Sequence, residues 1–386
     1  MANTLTGLIP IMYKAMDKIR REMVGFIPAV DIDAAASGAA LNQVLRTQVA
    51  PDASGGDITP GQLPVDDGDQ TIGYLDLAIT KSKYSPIRWA GEEIAGYQSN
   101  GNHENILADQ FAQSIRYLVN LIEADIGALA YGASRVVGTP GTTPFGTAAD
   151  LSDVANLRKI LEDNGCPMSA GDLSLILDSS AAAVLRGKHS ELFRVNEGGD
   201  GGRLLRDGAL GRLMGFDIGE SAQVAALAQI AATSYATNGI QAAGATGIVV
   251  KTGTAAISKG AIISFAGDTA NKYVVAADYA GGAGTLQINK PGLRVQIAAD
   301  NAITVNTTTY RANIGFHKNA IKLLTRTPYM PDGGDAAMDV YNITDPVSGL
   351  TFQVAQYGLY RRIKYEIGIA WGVGIVKNEF IGGLAG

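Results

Sequence analysis

The chain has one cysteine, Cys166, so no disulfide framework can form within it and no cysteine-rich zinc module can be built. Its three histidines, His103, His189 and His317, leave little material for a metal site. Charge is scarce: 18 % of residues are Asp, Glu, Lys or Arg, against roughly 25 % in an average soluble domain. The balance of 31 basic to 37 acidic residues gives −6, which argues against a nucleic-acid binder held by counterion release. The only long uncharged run lies between Glu220 and Lys251, and its Ala, Gly, Gln, Ser and Thr are too polar to be favoured in a bilayer. The start, Met1-Ala2-Asn3-Thr4-Leu5, lacks a basic region followed by an apolar one, so no secretory signal is read. These absences describe a soluble protein, cytoplasmic where it is made.

What is present is glycine and a sufficient core. Glycine accounts for 48 of 386 residues, about 12 % against a usual share of roughly 7 %. Hydrophobic residues at 46 % exclude wholesale disorder. The length predicts a main body with an insertion or second domain. Ile11 to Val24 reads as a short amphipathic helix, with Ile11, Ala15, Ile19 and Met23 at four-residue spacing and Pro28 ending it. Pro51 to Gln70 holds three Pro, four Gly and five Asp, too little apolar surface to offset its own ordering entropy. Leu75, Leu77 and Ile79 then alternate with polar or small residues as a half-buried strand. The picture is two extended arms joined by a loop, with stability before His103 drawn from adjoining copies of the chain. On that view, removing Met1 to Pro28 leaves the body folded.

From Glu104 to Tyr131 the residues Leu107, Phe111, Ile115, Leu118, Ile122, Ile126 and Leu129 run at spacings of three and four. They predict one apolar stripe along a rod of about 40 Å. Glu123 and Asp125 sit late in it, against the helix dipole, so packing must hold it. Ser152 is the predicted N-cap of a helix over Asp153 to Glu162 that stops at Asn164-Gly165. Leu173 to Leu177 reads as a buried strand, and Ser179 or Ser180 as the cap of a helix over Ala181 to Arg186. Gly198 to Gly202 reads as flexible. Between Ala222 and Tyr310 only eight residues are charged and none is Glu. Six β-like runs there (Ile248–Val250, Ala261–Phe265, Tyr273–Val275, Thr285–Ile288, Leu293–Ile297 and Ile303–Val305) predict a small antiparallel barrel. Ala320 to Leu324 resumes a mixed α/β pattern. Strands around Thr351–Tyr357 and Tyr365–Val376 close the chain.

Each catalytic template fails on parts or spacing. Gly219-Glu-Ser-Ala-Gln223 lacks the second glycine of a nucleophile elbow. Gly253 to Lys259 lacks the ending of a phosphate loop. Gly372 and Gly374 read as marks of a crowded strand, and His317 as a hydrogen-bonded packing histidine. His103 and His189 read as surface residues, Cys166 as a small buried hydrophobe, and Trp89 and Trp371 as core or interface anchors. The acidic turn Asp66-Asp67-Asp69 reads as solvated. No catalytic, cofactor or metal site is assigned, and the chain is not expected to be an enzyme.

Several stretches resemble the major capsid proteins of tailed phages with the Hong Kong 97-type fold. Leu210-Gly-Arg-Leu-Met-Gly-Phe-Asp-Ile-Gly-Glu-Ser221 is similar to that family's recurrent glycine turn. Asn105-Ile-Leu-Ala-Asp-Gln110 through Ile122-Glu-Ala-Asp125 resembles its spine helix. Asn313-Ile-Gly-Phe-His-Lys-Asn-Ala320 with Thr325-Arg-Thr-Pro328, and Asp345-Pro-Val-Ser-Gly-Leu350 followed by Trp371-Gly-Val-Gly-Ile375, resemble its returning and closing strands. Within the family the likeness is strongest to coat proteins of the P-twenty-two-like phages, which carry an extra barrel; Lys259-Gly-Ala-Ile-Ile-Ser-Phe-Ala-Gly267 resembles a piece of it.

The resemblance implies an α+β capsid fold with a small inserted antiparallel β-barrel. Its parts would be an N-terminal arm over 1–45, an extended loop over 46–95, and the spine helix and peripheral domain over 96–150. An axial domain over 151–221, the inserted barrel over 222–310 and a return over 311–386 would follow. The implied function is a subunit that self-assembles, as hexamers and pentamers, into an icosahedral head enclosing double-stranded DNA without reading its sequence. Implied partners are a scaffolding protein, a portal and a decoration protein, with no membrane and no cofactor. The implied location is the virion, assembled in the host cytoplasm. The candidates for contact between subunits are Ile11, Ile19, Met23, Leu75, Leu77, Ile79, Trp89 and Arg212. Alternatives are an encapsulin-like bacterial nanocompartment shell and, further off, a hydrolase or adhesin with an unfamiliar site. No lysine, asparagine and glutamate set is identified for self-crosslinking.

Overall fold

A computed structural model of the protein describes residues 24–39, 43–49, 55, 57–58, 60, 69–99, 103–148, 150–169, 171–188, 208, 210–230, 232–331, 334–346 and 348–386. The expected helix up to Met23, most of 51–70, His189 and the stretch 198–202 lie outside these residues, as do the contact candidates Ile11, Ile19 and Met23.

The apolar stripe forms the helix His103–Gly127, continued by a 3-10 turn over Ala128–Gly132. Leu107, Phe111, Ile115, Leu118, Ile122 and Ile126 are each at most 2 % exposed. They pack on one face of a six-stranded sheet. There Phe111 meets the Tyr365 ring edge-on at 5.5 Å, and the Trp371 indole N–H donates to Asp125 at 2.7 Å. Lys81 Nζ, 2.6 Å from the other Asp125 oxygen, offsets the unfavourable carboxylate near the helix C-terminus.

The sheet is built around Arg362–Ile375, whose first half is flanked by antiparallel Thr351–Leu359 and Lys81–Ala90. Its second half pairs with Ile321–Pro328, on whose far side Asp31–Ala39 runs parallel; Ala337–Thr344 forms the other edge. Asp33 is ion-paired with Arg326, 293 residues away, at 3.1 Å. Asp31–Ala39 and Lys81–Ala90 are therefore supported by their own chain, which corrects the expectation that stretches before His103 rely wholly on neighbours. Phe26 and Ile27 are fully buried, so a cut after Pro28 removes part of the core.

A second, long sheet runs through Phe216–Glu220, Leu173–Leu177, Tyr310–His317, Ile381–Ala385 and Arg135–Val137 in that spatial order. Ile381–Ala385, unassigned from sequence, is buried at all five positions between antiparallel Tyr310–His317 and parallel Arg135–Val137. The helices Ser152–Asp163 and Ser179–Lys188 cover this part. Neither is capped as expected. Leu151 precedes the first without a side-chain cap. Asp178, not a serine, caps the second by accepting from the Ala181 N–H at 3.1 Å. Beyond Tyr310–His317 a short 3-10 turn, Lys318–Ala320, leads directly into strand rather than into a mixed α/β stretch.

Beyond Arg135–Val137 the long sheet continues into Asp268–Val274, Ile262–Phe265, Ala302–Val305, Thr233–Thr237, Gly247–Thr254 and Gly284–Gln287, each antiparallel to the next. A bridge between Val275 and Ile288 brings the last of these back to the first, so six strands form a ring. The ring holds its own core of Ile248, Val250, Ile263, Phe265, Tyr273 and Leu286, each at most 1 % exposed. Two details differ from the sequence reading. Leu293–Ile297 is irregular apart from a bridge of Ile297 to Gln241, and the sixth strand is Thr233–Thr237. Leu293 and Ile297 are buried as plugs, which gives an apolar run the look of a strand.

Candidate assembly surfaces

Outside both sheets stands a two-stranded hairpin, Val44–Val49 against Gly73–Ala78, in register from Val44 opposite Ala78 to Val49 opposite Gly73. Alternation divides its faces. Leu45, Leu75 and Leu77 share one, and at the hairpin's base Leu77 and the following Ile79 pack on Leu324 and Ala370. The chain passes directly over Arg362–Ile375 here. A Cβ on Gly372 would penetrate the Ala78 carbonyl, and one on Gly374 the Leu77 side chain. The paired glycines thus mark a crowded strand, as expected, and the crowding fixes where the hairpin leaves the body.

The other face is polar and exposed. Arg46 makes a fork to Asp76, Nε to Oδ1 at 2.8 Å and Nη2 to Oδ2 at 3.0 Å, and its guanidinium lies 3.9 Å from the Tyr74 ring centre. The Arg46 hydrogen bonds hold the Asp76 carboxyl below its ordinary value, although so exposed a pair adds little to stability. Ile72 and Tyr74 remain 62 % and 61 % exposed. An isolated two-stranded hairpin is at best marginally stable in water, and this one is held by the packing of its apolar face on the body.

A second open area is the side of the six-stranded sheet turned away from the long helix. Arg88 lies opposite Lys364, whose ammonium sits 5.1 Å from the Tyr84 ring and 5.6 Å from the Tyr357 ring. Leu359 and Tyr360, at the adjoining turn, are 50 % and 87 % exposed.

The contact candidates fall differently in the two areas. Leu77, Ile79 and Trp89 are between 5 % and 6 % exposed and are used inside their own chain, which removes them as surface anchors. Trp89 donates its indole N–H to Gln110 at 2.8 Å and meets Tyr97 and His103 edge-on. His103 is thereby half-buried and not a surface residue. Leu75 is half-buried on the hairpin, and Arg212 is exposed but paired with Asp217 at 2.7 Å. The large apolar side chains that the structure leaves exposed, Ile72, Tyr74, Tyr84, Leu359 and Tyr360, were not singled out from the sequence. Alternation carried one signal, because burying Leu75 and Leu77 turns Tyr74 outward.

A buried carboxylate of the long helix anchors the first described residues. Glu123, 1 % exposed, accepts from the Ile27 N–H at 2.7 Å, the Phe26 N–H at 3.2 Å and the Ser221 hydroxyl at 2.9 Å. Burial pushes its carboxyl above the usual range, and these donors pull the other way. A carboxyl with a raised folded-state pKa binds its proton more readily folded than unfolded. Its contribution to stability is therefore greatest below the ordinary carboxylate range and is lost as pH rises through the raised folded value. Glu123→Gln should remove that slope from denaturation midpoints measured against pH. It should also cost about 1–3 kcal/mol at neutral pH, because an amide NH2 would face buried donors.

Ser221, His317 and Cys166, the groups weighed for catalysis in the sequence, have the following surroundings. Ser221 is bound to Glu123, and His317 Nδ1 accepts from the Asn319 N–H at 3.2 Å. Burial pushes the Cys166 thiol up to about 11. Among the described residues no three His, Cys, Asp or Glu side chains cluster as a metal site, and no helix is long and apolar enough to cross a membrane.

No family model matches the chain, and no curated protein does. Solved structures are similar to it in fold. The capsid structure of the cyanophage P-SCSP1u aligns over 95 % of this chain and 88 % of that one, at 12 % identity and a TM-score of 0.49. A structure from Mycobacterium phage Che8 covers 89 % and 84 % at 12 % identity and 0.46. The virus-like particle from Pyrococcus furiosus covers 98 % and 97 % at 9 % identity and 0.43.

Proposed function

We propose that the chain is a major capsid protein of a tailed bacteriophage, which assembles into an icosahedral shell around double-stranded DNA. The observation that carries this reading is the hairpin Val44–Val49 with Gly73–Ala78: a base seated against the body and an outer face that no described residue of its own chain covers. The sequence resemblance supports the same reading. On this view the hairpin belongs to the extended loop over 46–95, the helix His103–Gly127 is the spine, and the six-stranded ring is the inserted barrel within 222–310. The arm over 1–45, the peripheral and axial parts over 96–221 and the return over 311–386 complete the subunit. Hexamers and pentamers, with a scaffolding protein, a portal and a decoration protein as partners, are parts of the same proposal, as are assembly in the host cytoplasm and a place in the virion.

The test is assembly itself. Purified protein, alone and co-expressed with a scaffolding protein, should yield closed hollow particles by negative-stain electron microscopy and sedimentation velocity. The double variant Ile72→Asp, Tyr74→Ser should keep the monomer's melting temperature and lose the particles, since both side chains are exposed in the subunit. A strictly monomeric protein under every assembly condition would overturn the shell reading. Particles that protect a docked enzyme instead of DNA would overturn its viral part.

A further inference from the structure

The seam between ring and body contains a small polar cleft of about 300 Å³, at the lower end of the range for ligand pockets, roughly 300–1,000 Å³. One wall is a single face of the helix Ser152–Asp163, where Asn156, Lys159 and Asp163 recur at spacings of three and four. The opposite wall is the ring strand Asp268–Val274, with Asn271 and Lys272, and the floor is Arg135. Three cations and one carboxylate line it, in a chain whose net charge is −6.

Arg135 is 5 % exposed. Its Nη1 donates to Asn271 at 2.7 Å, and its Nη2 to Asp163 at 3.1 Å and to the Ile160 carbonyl at 3.4 Å, while its Nε–H is buried and meets no acceptor. Asp163 is itself 30 % exposed, so the buried guanidinium is only partly compensated. Lys272 donates to the Gly138 carbonyl, and the exposed Lys159 ammonium has no partner among the described residues. The Asn271 amide is already engaged, its oxygen by Arg135 and its NH2 by Asp268 at 2.9 and 3.1 Å, so the groups left to an incoming ligand are the two lysines and Asn156. A desolvated, incompletely paired cation flanked by two lysines and one open side-chain amide attracts a compact multivalent anion.

We propose that this cleft binds a free tetrahedral oxyanion of the phosphate class, held mainly by Lys159 and Lys272 over Arg135, which ties the ring to the body. The inference does not depend on shell assembly and is tested on unassembled protein. Inorganic phosphate is titrated calorimetrically at constant ionic strength against potassium chloride. The expected result is saturable one-site binding that weakens about tenfold in Lys159→Gln and disappears in the double variant with Lys272→Gln. Lys83→Gln, on an exposed strand of the other sheet, should bind as the parent does. Lys159 makes no contact that folding needs, so its variant reports on the anion alone. Absence of saturable phosphate binding, equal binding by the double variant, or equal weakening by Lys83→Gln would each overturn the proposal. Displacement of phosphate by a short oligonucleotide at equal phosphate concentration would overturn the choice of a free ion.

Discussion

Gly372→Val should abolish particle formation. Gly372 lies in the strand that the hairpin crosses, and its missing side chain is the space through which Ala78 passes. The obstacle is a backbone carbonyl, followed by the Ile79 backbone, and neither can rotate aside as a side-chain tip would. Overpacking a tight core typically costs about 1–3 kcal/mol, and this site belongs at the upper end. The cheapest relief is to lift residues 77–79, which frees Leu77 and Ile79 from Leu324 and Ala370 and re-aims the hairpin. Denaturation should show a loss of about 3 kcal/mol, and electron microscopy should show no shells from protein that remains folded. Gly374→Ala is the graded control, because its methyl would meet the Leu77 side chain, which can adjust. Its shells should form in reduced yield. Normal shells from Gly372→Val would show that the seating of the hairpin does not matter.

Deletion of residues 381–386 should prevent folding altogether. Ile381–Ala385 is an interior strand, and its removal strips the partner from Tyr310–His317 on one side and Arg135–Val137 on the other. Ile381 and Leu384, both fully buried, contribute about 2–3 kcal/mol each through burial alone. Adding the unpaired backbone groups of two neighbouring strands brings the loss to the scale of a whole domain's net stability, about 5–15 kcal/mol. The truncated protein should lack a cooperative unfolding transition followed by near-UV circular dichroism. A native-like transition would mean that the long sheet closes without this strand.

Periodic signals were legible where packing is local. The stripe from Leu107 to Ile126 marked the long helix, whose start lies one residue from the expected one and whose last expected turn is 3-10, and Leu173 to Leu177 marked a buried strand, because each pattern is written in consecutive residues. The stop at Asn164-Gly165 was equally plain, with Gly165 at φ +72°. Pairings across long separations were not legible. Nothing near Asp31 announces Ile321–Pro328, and the short, glycine-rich Ile381–Ala385 looks like a loop until two neighbours are laid beside it. Thr233–Thr237 was lost for a related reason: its only large apolar residue is Tyr235. Exposure of the contact candidates was not legible either. Leu77, Ile79 and Trp89 look sticky in sequence, but apolar residues satisfy their own chain first, and exposure fell to Ile72, Tyr74 and Tyr360.

The ring and the body differ in when a ribosome could finish them. All six ring strands lie between Thr233 and Val305, so the ring has every partner once that span has emerged. The long sheet waits for residue 385, another 80 residues, or roughly 4–16 s at ~5–20 residues per second of translation. During that interval the nascent polypeptide carries one completed unit beside unpaired strand edges. Its helpers in the cell should be those that shield such edges late in synthesis.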